Sequence, residues 1–127
     1  MMKLLLILLV GLVFESTGVV LLKKGMDKIG DIALGYSASS ASVFPSIRFA
    51  GRIPSDPVGP GQMESENIIF NGGGSQLPNL SRWGDYSSIS IDPVDDCTFW
   101  YTNEYLKSSG TFNWSTRIAS FKFPACL

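Results

Sequence analysis

The stretch RWGDYSSISIDPVDDCTFWYTNEYL at residues 82–106, followed by FNWSTRIASFKFPAC at residues 112–126, decides the fold. Within it, Tyr86–Ile91 and Arg117–Phe123 alternate between two faces of an extended chain, and Cys97–Tyr101 is rich in β-branched and aromatic residues. A period of two residues is typical of β-strands. These segments therefore predict a β-structured C-terminal half.

The rest of the chain adds shorter runs separated by turn residues. Ser46–Ala50 and Asn67–Phe70 are further strand candidates, and Asp92–Asp96 combines Asp and Pro as turns do. The small polar run Gly35–Ser42 has the composition of a linker. The predicted fold class is mainly β, with an N-terminal membrane-seeking helix followed by about five short antiparallel strands.

The N-terminal residues 4–22, LLLILLVGLVFESTGVVLL, are long and apolar enough to cross a membrane as a helix. Lysines flank this segment, and Glu15 interrupts it. Three interpretations stay open: a signal peptide, an uncleaved anchor, or a segment derived from a transporter. The predicted organisation is a membrane anchor or signal-like helix at 1–32, a linker at 33–42 and a β-rich module at 43–127.

Composition excludes several classes of function. The chain has 127 residues, a net charge of −1 and no histidine. The length suits one modest domain, and the charge offers no electrostatic footprint for nucleic acid. Without histidine, the usual Ser-His-Asp and Cys-His catalysis is excluded, so hydrolysis would have to use carboxylates, hydroxyls, Lys/Arg or a hard metal ion.

Two resemblances carry further expectations. The runs SIRFAGRIPSDPVG, RWGDYSSISIDPVDDCTFWYTNEYL and FNWSTRIASFKFPAC resemble the C-terminal end of large secreted bacterial proteins that are sialidase-like or glycosidase-like β-propellers. This resemblance spans residues 43–126 and implies one to two blade-like sheets, too few to close a ring. Such a module would oligomerise, form a small sandwich or pack against the membrane helix. The run GLVFESTGVVLLKKGM at 11–26 resembles the first helix of small multidrug-resistance-type transporters.

Carboxylates on a turn suit a hard cation, and paired carboxylates can hydrolyse glycosides. The predicted metal ligands, for Ca²⁺, are Asp85, Asp92, Asp95 and Asp96. The predicted catalytic residues are Asp92, Asp95 and Glu104, and the predicted substrate-binding residues are Arg82, Trp100 and Arg117. Four of them have an ordinary structural alternative: Asp92 and Asp95 form a turn, Arg117 pairs across strands with an acid, and Trp100 belongs to the core.

The sequence thus predicts an extracytoplasmic, membrane-anchored or secreted module that hydrolyses a small glycoside, ester or lactone with Ca²⁺. The alternatives are a non-catalytic binding or structural fragment and a transporter-derived membrane relic. The expected partners are a small-molecule substrate, the membrane through residues 4–22 and, for an oligomer, further copies of the chain, without nucleic acid. For Cys97 and Cys126 two alternatives stay open if this part of the chain is exported: two buried free thiols, or a disulfide that would stabilise it by about 3 kcal/mol.

Overall fold

A computed structural model describes residues 23–55, 62–64, 66–77 and 83–127 of the chain. These residues form seven strands, which lie in two antiparallel sheets. The first sheet has the order β1-β2-β3-β4 and the second the order β5-β6-β7. The strands are β1 (Lys23–Met26), β2 (Ile32–Ser40), β3 (Val43–Arg52), β4 (Asn67–Phe70), β5 (Ser88–Ile91), β6 (Phe99–Leu106) and β7 (Trp114–Phe121).

The mainly β prediction is confirmed, but the number of strands was underestimated. β1 lies within residues 1–32, which were assigned to a helix, and β2 occupies most of the expected linker at 33–42. No helix long and apolar enough to cross a membrane occurs in the described parts of the chain. The predicted helix at 4–22 lies outside the described residues.

Small residues in β2 reflect close packing of the sheets rather than a linker. A Cβ atom added to Gly35 would lie 2.4 Å from Cζ of Tyr101 in β6. Such a contact is far below van der Waals distance, so only glycine lets the Tyr101 ring lie flat on β2. Further along β3, a Cβ on Gly51 would lie 2.3 Å from the Phe123 ring. Glycine, alanine and serine in this region thus create the space that the aromatic residues of the second sheet fill.

The two sheets pack face to face through an aromatic core. Phe121 of β7 stacks on Phe49 of β3, with ring centroids 4.0 Å apart, and on Phe99 at 5.4 Å. Ile47 and Tyr101 are fully buried between the sheets. Several aromatics that a lone blade would leave without partners are therefore buried here, as expected for the small compact arrangement.

A buried polar network crosses the same interface. Asn103 Nδ2 donates to Ser37 Oγ at 2.9 Å and to the Tyr101 hydroxyl at 2.7 Å. Because all three groups are buried, their mutual hydrogen bonds offset the cost of removing them from water. Burial raises the pKa of Tyr101 above its ordinary value.

Of the two alternatives for Cys97 and Cys126, the structure has the disulfide, with Cα atoms 5.6 Å apart and both residues fully buried. It ties the C-terminal segment to the chain just before β6. The chain segment between the cysteines contains both β6 and β7, so the bridge covalently links the two ends of this pair of strands.

Candidate functional site

The predicted metal and catalytic aspartates lie mainly in the turn that joins β5 and β6, which we call the second turn (Asp92–Thr98). Asp95 Oδ1 accepts the N–H groups of Cys97 and Thr98, both at 2.9 Å, and its Oδ2 accepts the Thr98 hydroxyl at 2.6 Å. The Thr98 hydroxyl and these two N–H groups lower the pKa of Asp95 to about 2. Asp95 is thus an ionised turn-former whose oxygens already have hydrogen-bond partners.

Asp92 also serves the second turn. Its Oδ1 accepts the Val94 N–H at 2.9 Å, and its Oδ2 accepts the indole N–H of Trp100 at 3.1 Å. Asp96 is exposed and has a positive φ of 52°, which aspartate tolerates better than most residues. Its backbone carbonyl accepts the Lys28 N–H at 3.0 Å. The structure brings Asp92, Asp95 and Asp96 together in one turn. The carboxylates of Asp92 and Asp95 already accept hydrogen bonds, from backbone N–H groups, the Thr98 hydroxyl and the Trp100 indole.

Glu104 lies further along β6, on the face of the second sheet that points away from the first sheet; we call this the outer face. Its side chain is buried, and Oε2 accepts the Gly84 N–H at 2.6 Å. Glu104 lies four positions after Trp100, which corresponds to roughly 13 Å along an extended strand. The structure therefore separates Glu104 from the second turn by far more than a hydrogen-bond distance.

Asp85 lines an open cleft on the outer face, together with Tyr86, Ser87, Ser88 and Thr102. The cleft has a volume of about 360 Å³. Asp85 precedes β5 while Asp92 follows it, so a strand of roughly 13 Å lies between them. Across the described ranges, no group of three His, Cys, Asp or Glu side chains is arranged to hold a metal ion.

The three predicted substrate-binding residues do not form one surface. Trp100 is 43% exposed on the outer face. Arg117 pairs in register with Asn103, whose side chain points to the first sheet, so Arg117 lies on the opposite side of the second sheet. Its guanidinium lies 4.8 Å from the centroid of the Phe70 ring, a cation–π contact. Arg82 lies outside the described residues.

Sequence reasoning missed a second pair of carboxylates, Asp27 and Asp31, in the turn that joins β1 and β2. We call this the first turn (Asp27–Asp31). Both side chains are buried, and the turn contains Gly30 with a positive φ of 91°. The signal was present in the sequence, because Asp-Lys-Ile-Gly-Asp combines turn residues between two apolar runs. The prediction of a helix over residues 1–32 covers these residues, so the turn is not predicted from the sequence.

No protein-family model matches the chain, and no curated protein or solved structure is similar enough to count as a match. The function is therefore argued from the geometry of the described residues.

Proposed function

We propose that the chain is an extracytoplasmic, non-catalytic module that binds carbohydrate on the outer face of β5–β7, with Trp100 as the stacking platform. The observation that carries this proposal is the state of the Trp100 side chain. Its indole is almost half exposed, yet its N–H donates to Asp92 Oδ2 at 3.1 Å. A ring that is both accessible and fixed presents a flat apolar surface without a further ordering cost on binding.

The residues beside Trp100 suit a neutral, hydroxyl-rich ligand. Ser90 and Ser120 flank it in register on the neighbouring strands, and Ser88 pairs with Thr102 one step further along. Hydroxyl groups donate and accept hydrogen bonds, as sugar hydroxyls do. The strongly exposed Tyr86 beside the cleft offers a second aromatic surface near the start of β5, roughly 13 Å along the strand from the level of Trp100. An aromatic platform with a hydroxyl ladder favours a sugar over an anionic ligand.

Two further considerations support the proposal. The disulfide favours an oxidising compartment, because such bridges are uncommon in the reducing cytosol. The resemblance of residues 43–126 to sialidase-like and glycosidase-like propellers favours carbohydrate among hydroxyl-rich ligands.

Hydrolysis by Asp92, Asp95 and Glu104 stays a prediction with less geometric support. Glycosidases hold two carboxyl groups about 5–9.5 Å apart across the scissile bond. Here Glu104 lies about 13 Å of strand away from Trp100 and from the Asp92 carboxylate that accepts its indole N–H. Asp92 and Asp95 share the second turn, but both carboxylates already accept hydrogen bonds there. The oxygens of Asp95 are also occupied by the turn, so it is poorly placed to bind Ca²⁺ or attack a sugar.

Isothermal titration calorimetry with cellohexaose, chitohexaose and sialyllactose tests the proposal. We expect at least one of these sugars to bind the wild type, and Trp100→Ala to weaken that binding about tenfold, as loss of a stacking contact near 1.4 kcal/mol implies. Trp114→Ala is the matched control, because Trp114 is exposed on the same sheet but packs against Phe112, with ring centroids 5.7 Å apart. Equal losses in both variants would contradict a specific platform at Trp100.

The same sugars, incubated with and without EDTA, distinguish binding from catalysis. We expect no release of reducing sugar under either condition. Turnover that EDTA abolishes and Ca²⁺ restores would instead support the hydrolase prediction. Absence of binding to all three sugars, measured on folded protein, would refute the carbohydrate proposal for these ligand classes.

A further inference from the structure

The first turn contains carboxylate oxygens that no group in the described chain satisfies. Asp27 is 6% exposed and Asp31 is 0% exposed. Asp27 Oδ1 accepts the N–H groups of Ile29 at 3.0 Å and Asp31 at 2.9 Å. Asp27 Oδ2 and both carboxylate oxygens of Asp31 are buried without a hydrogen-bond partner among the described residues. Buried polar oxygens without partners are rare in native proteins.

The two carboxyl groups also lie against each other without a compensating charge. The Asp31 side chain contacts the Asp27 carboxyl, and both residues are buried. Lys28 is the nearest lysine in sequence, but its ammonium donates to the Leu127 carbonyl at 3.0 Å. Within the described ranges, no salt bridge reaches either aspartate. Two ionised carboxylates in this environment would be costly unless something positive lies between them.

The charge of the two carboxylates can be compensated by a shared proton or by a bound cation. The three unsatisfied oxygens distinguish these two alternatives. A single shared proton would join Asp27 Oδ2 to one oxygen of Asp31 and leave the other oxygen buried and unsatisfied. A divalent cation would neutralise both charges and take all three oxygens as ligands. The cation therefore accounts for more of what is observed than the proton does.

We propose that Asp27 and Asp31 form a Ca²⁺ site in the first turn. Carboxylate oxygens are hard ligands, and Ca²⁺ accepts irregular coordination more readily than Mg²⁺. Ca²⁺ takes about six to eight oxygens, so backbone carbonyls or water would complete its coordination. This site differs from the one predicted from the sequence, because it lies on the first sheet and uses oxygens that are free of turn hydrogen bonds.

The location gives the ion a structural role. The Lys28 N–H of the first turn donates to the Asp96 carbonyl of the second turn at 3.0 Å, so the two sheets meet beside the proposed site. A cation that rigidifies the first turn would also support this junction. Bound Ca²⁺ should accordingly stabilise the folded chain by mass action.

The test uses the full chain in buffer freed of divalent cations, titrated with CaCl₂ in a calorimeter and followed by thermal unfolding. We expect one Ca²⁺ per chain and a Tm that rises with Ca²⁺ concentration. In Asp31→Asn the affinity should fall at least about tenfold, because one of two charged ligands is lost. Glu66→Gln is the matched control, since it removes an exposed carboxylate that pairs with Arg48 on the first sheet, and it should bind Ca²⁺ like the wild type.

Three outcomes would overturn the site. Equal Ca²⁺ affinity in Asp31→Asn and the wild type would place the ion elsewhere. If Ca²⁺ affinity falls equally in Asp31→Asn and Glu66→Gln, the loss would reflect the overall charge of the chain and not a ligand at Asp31. If the wild type shows neither heat of binding nor a change in Tm with Ca²⁺, the pair holds a proton only. That last result needs no variant, so it decides the question even if Asp31→Asn does not fold.

Discussion

The first and second turns are held by the same kind of hydrogen bonds, but a carboxyl pKa is raised in the first turn and lowered in the second. In each, one carboxylate oxygen accepts two backbone N–H groups: Asp27 Oδ1 in the first turn and Asp95 Oδ1 in the second. In the second turn the other oxygen meets the Thr98 hydroxyl, and the pKa of Asp95 falls to about 2. In the first turn a second buried carboxyl, Asp31, lies alongside, and its pKa is raised. The neighbour of the second oxygen, rather than the turn geometry, thus sets the character of each turn.

The largest expected effect comes from removing the disulfide that anchors the second turn. We expect the Cys97→Ser, Cys126→Ser double variant to lose about 3 kcal/mol of unfolding free energy, because the bridge restricts a chain segment with a sequence separation of 29 in the unfolded state. Urea denaturation of variant and wild type measures the difference. The wild type treated with a reductant under denaturing conditions and then refolded is the control. Identical midpoints would mean that the second turn is held by its hydrogen bonds alone.

The next effect isolates the backbone contacts of the first turn from its charge. Asp27→Asn keeps an oxygen that can accept from Ile29 and Asp31, while Asp27→Ala removes it and leaves two N–H groups without their acceptor. Both variants remove the same charge, so their difference reports the hydrogen bonds. We expect Asp27→Ala to be less stable than Asp27→Asn by about 2 kcal/mol in chelated buffer, since buried donors without partners are costly.

Chemical denaturation of the two variants measures this difference. Equal stability would indicate that the first turn keeps its shape without the Asp27 acceptor. In that case the similarity between the two turns would be one of appearance only.

The contrast between the turns also explains what could be predicted from the sequence. The second turn was predicted because Asp92-Pro93-Val94-Asp95-Asp96 has local turn chemistry between clearly alternating strands. Its metal role could not be judged, because hydrogen bonds from Thr98 and Trp100 to the carboxylates depend on side-chain geometry that composition does not encode. β1 is not predicted because it falls within the predicted helix at 1–32, and β2 is not predicted because its glycine and alanine residues are uncommon in strands. Their fit depends on the Tyr101 ring from the other sheet, more than sixty residues away in sequence.

In the candidate site, too, features that depend on neighbouring residues are predicted from the sequence, and features that depend on the pairing of distant strands are not. Proximity of the aspartates in the second turn follows from their neighbouring sequence positions, and the structure has them together. Whether Glu104, Trp100 and Arg117 share a surface depends on register and on which side of the sheet each one faces. Arg117 falls on the opposite side from Trp100 because its pairing partner, Asn103, lies three positions after Trp100 on β6, and an odd offset changes the side of the sheet.

The third prediction concerns pH and follows from the low pKa of Asp95. Its folded-state pKa of about 2 is below the ordinary value of 3.8, so the ionised carboxylate favours the folded state. This contribution is present above pH 4 and is lost as the pH falls from about 4 to about 2. We expect the Tm of the wild type to fall more steeply across this window than that of Asp95→Asn. Parallel curves would show that the Thr98 contacts do not discriminate between the ionised and neutral carboxyl in solution.

The smallest expected effect concerns the junction between the two turns. Lys28 contributes two hydrogen bonds: its backbone N–H donates to Asp96 O at 3.0 Å, and its exposed ammonium donates to Leu127 O at 3.0 Å. Lys28→Ala removes only the second, and exposed contacts of this kind change stability by about 0.5 kcal/mol or less. We therefore expect nearly unchanged thermal unfolding, with the amide proton of residue 28 still protected in hydrogen exchange. A loss well above 1 kcal/mol, or loss of that protection, would mean that the side chain rather than the backbone joins the turns.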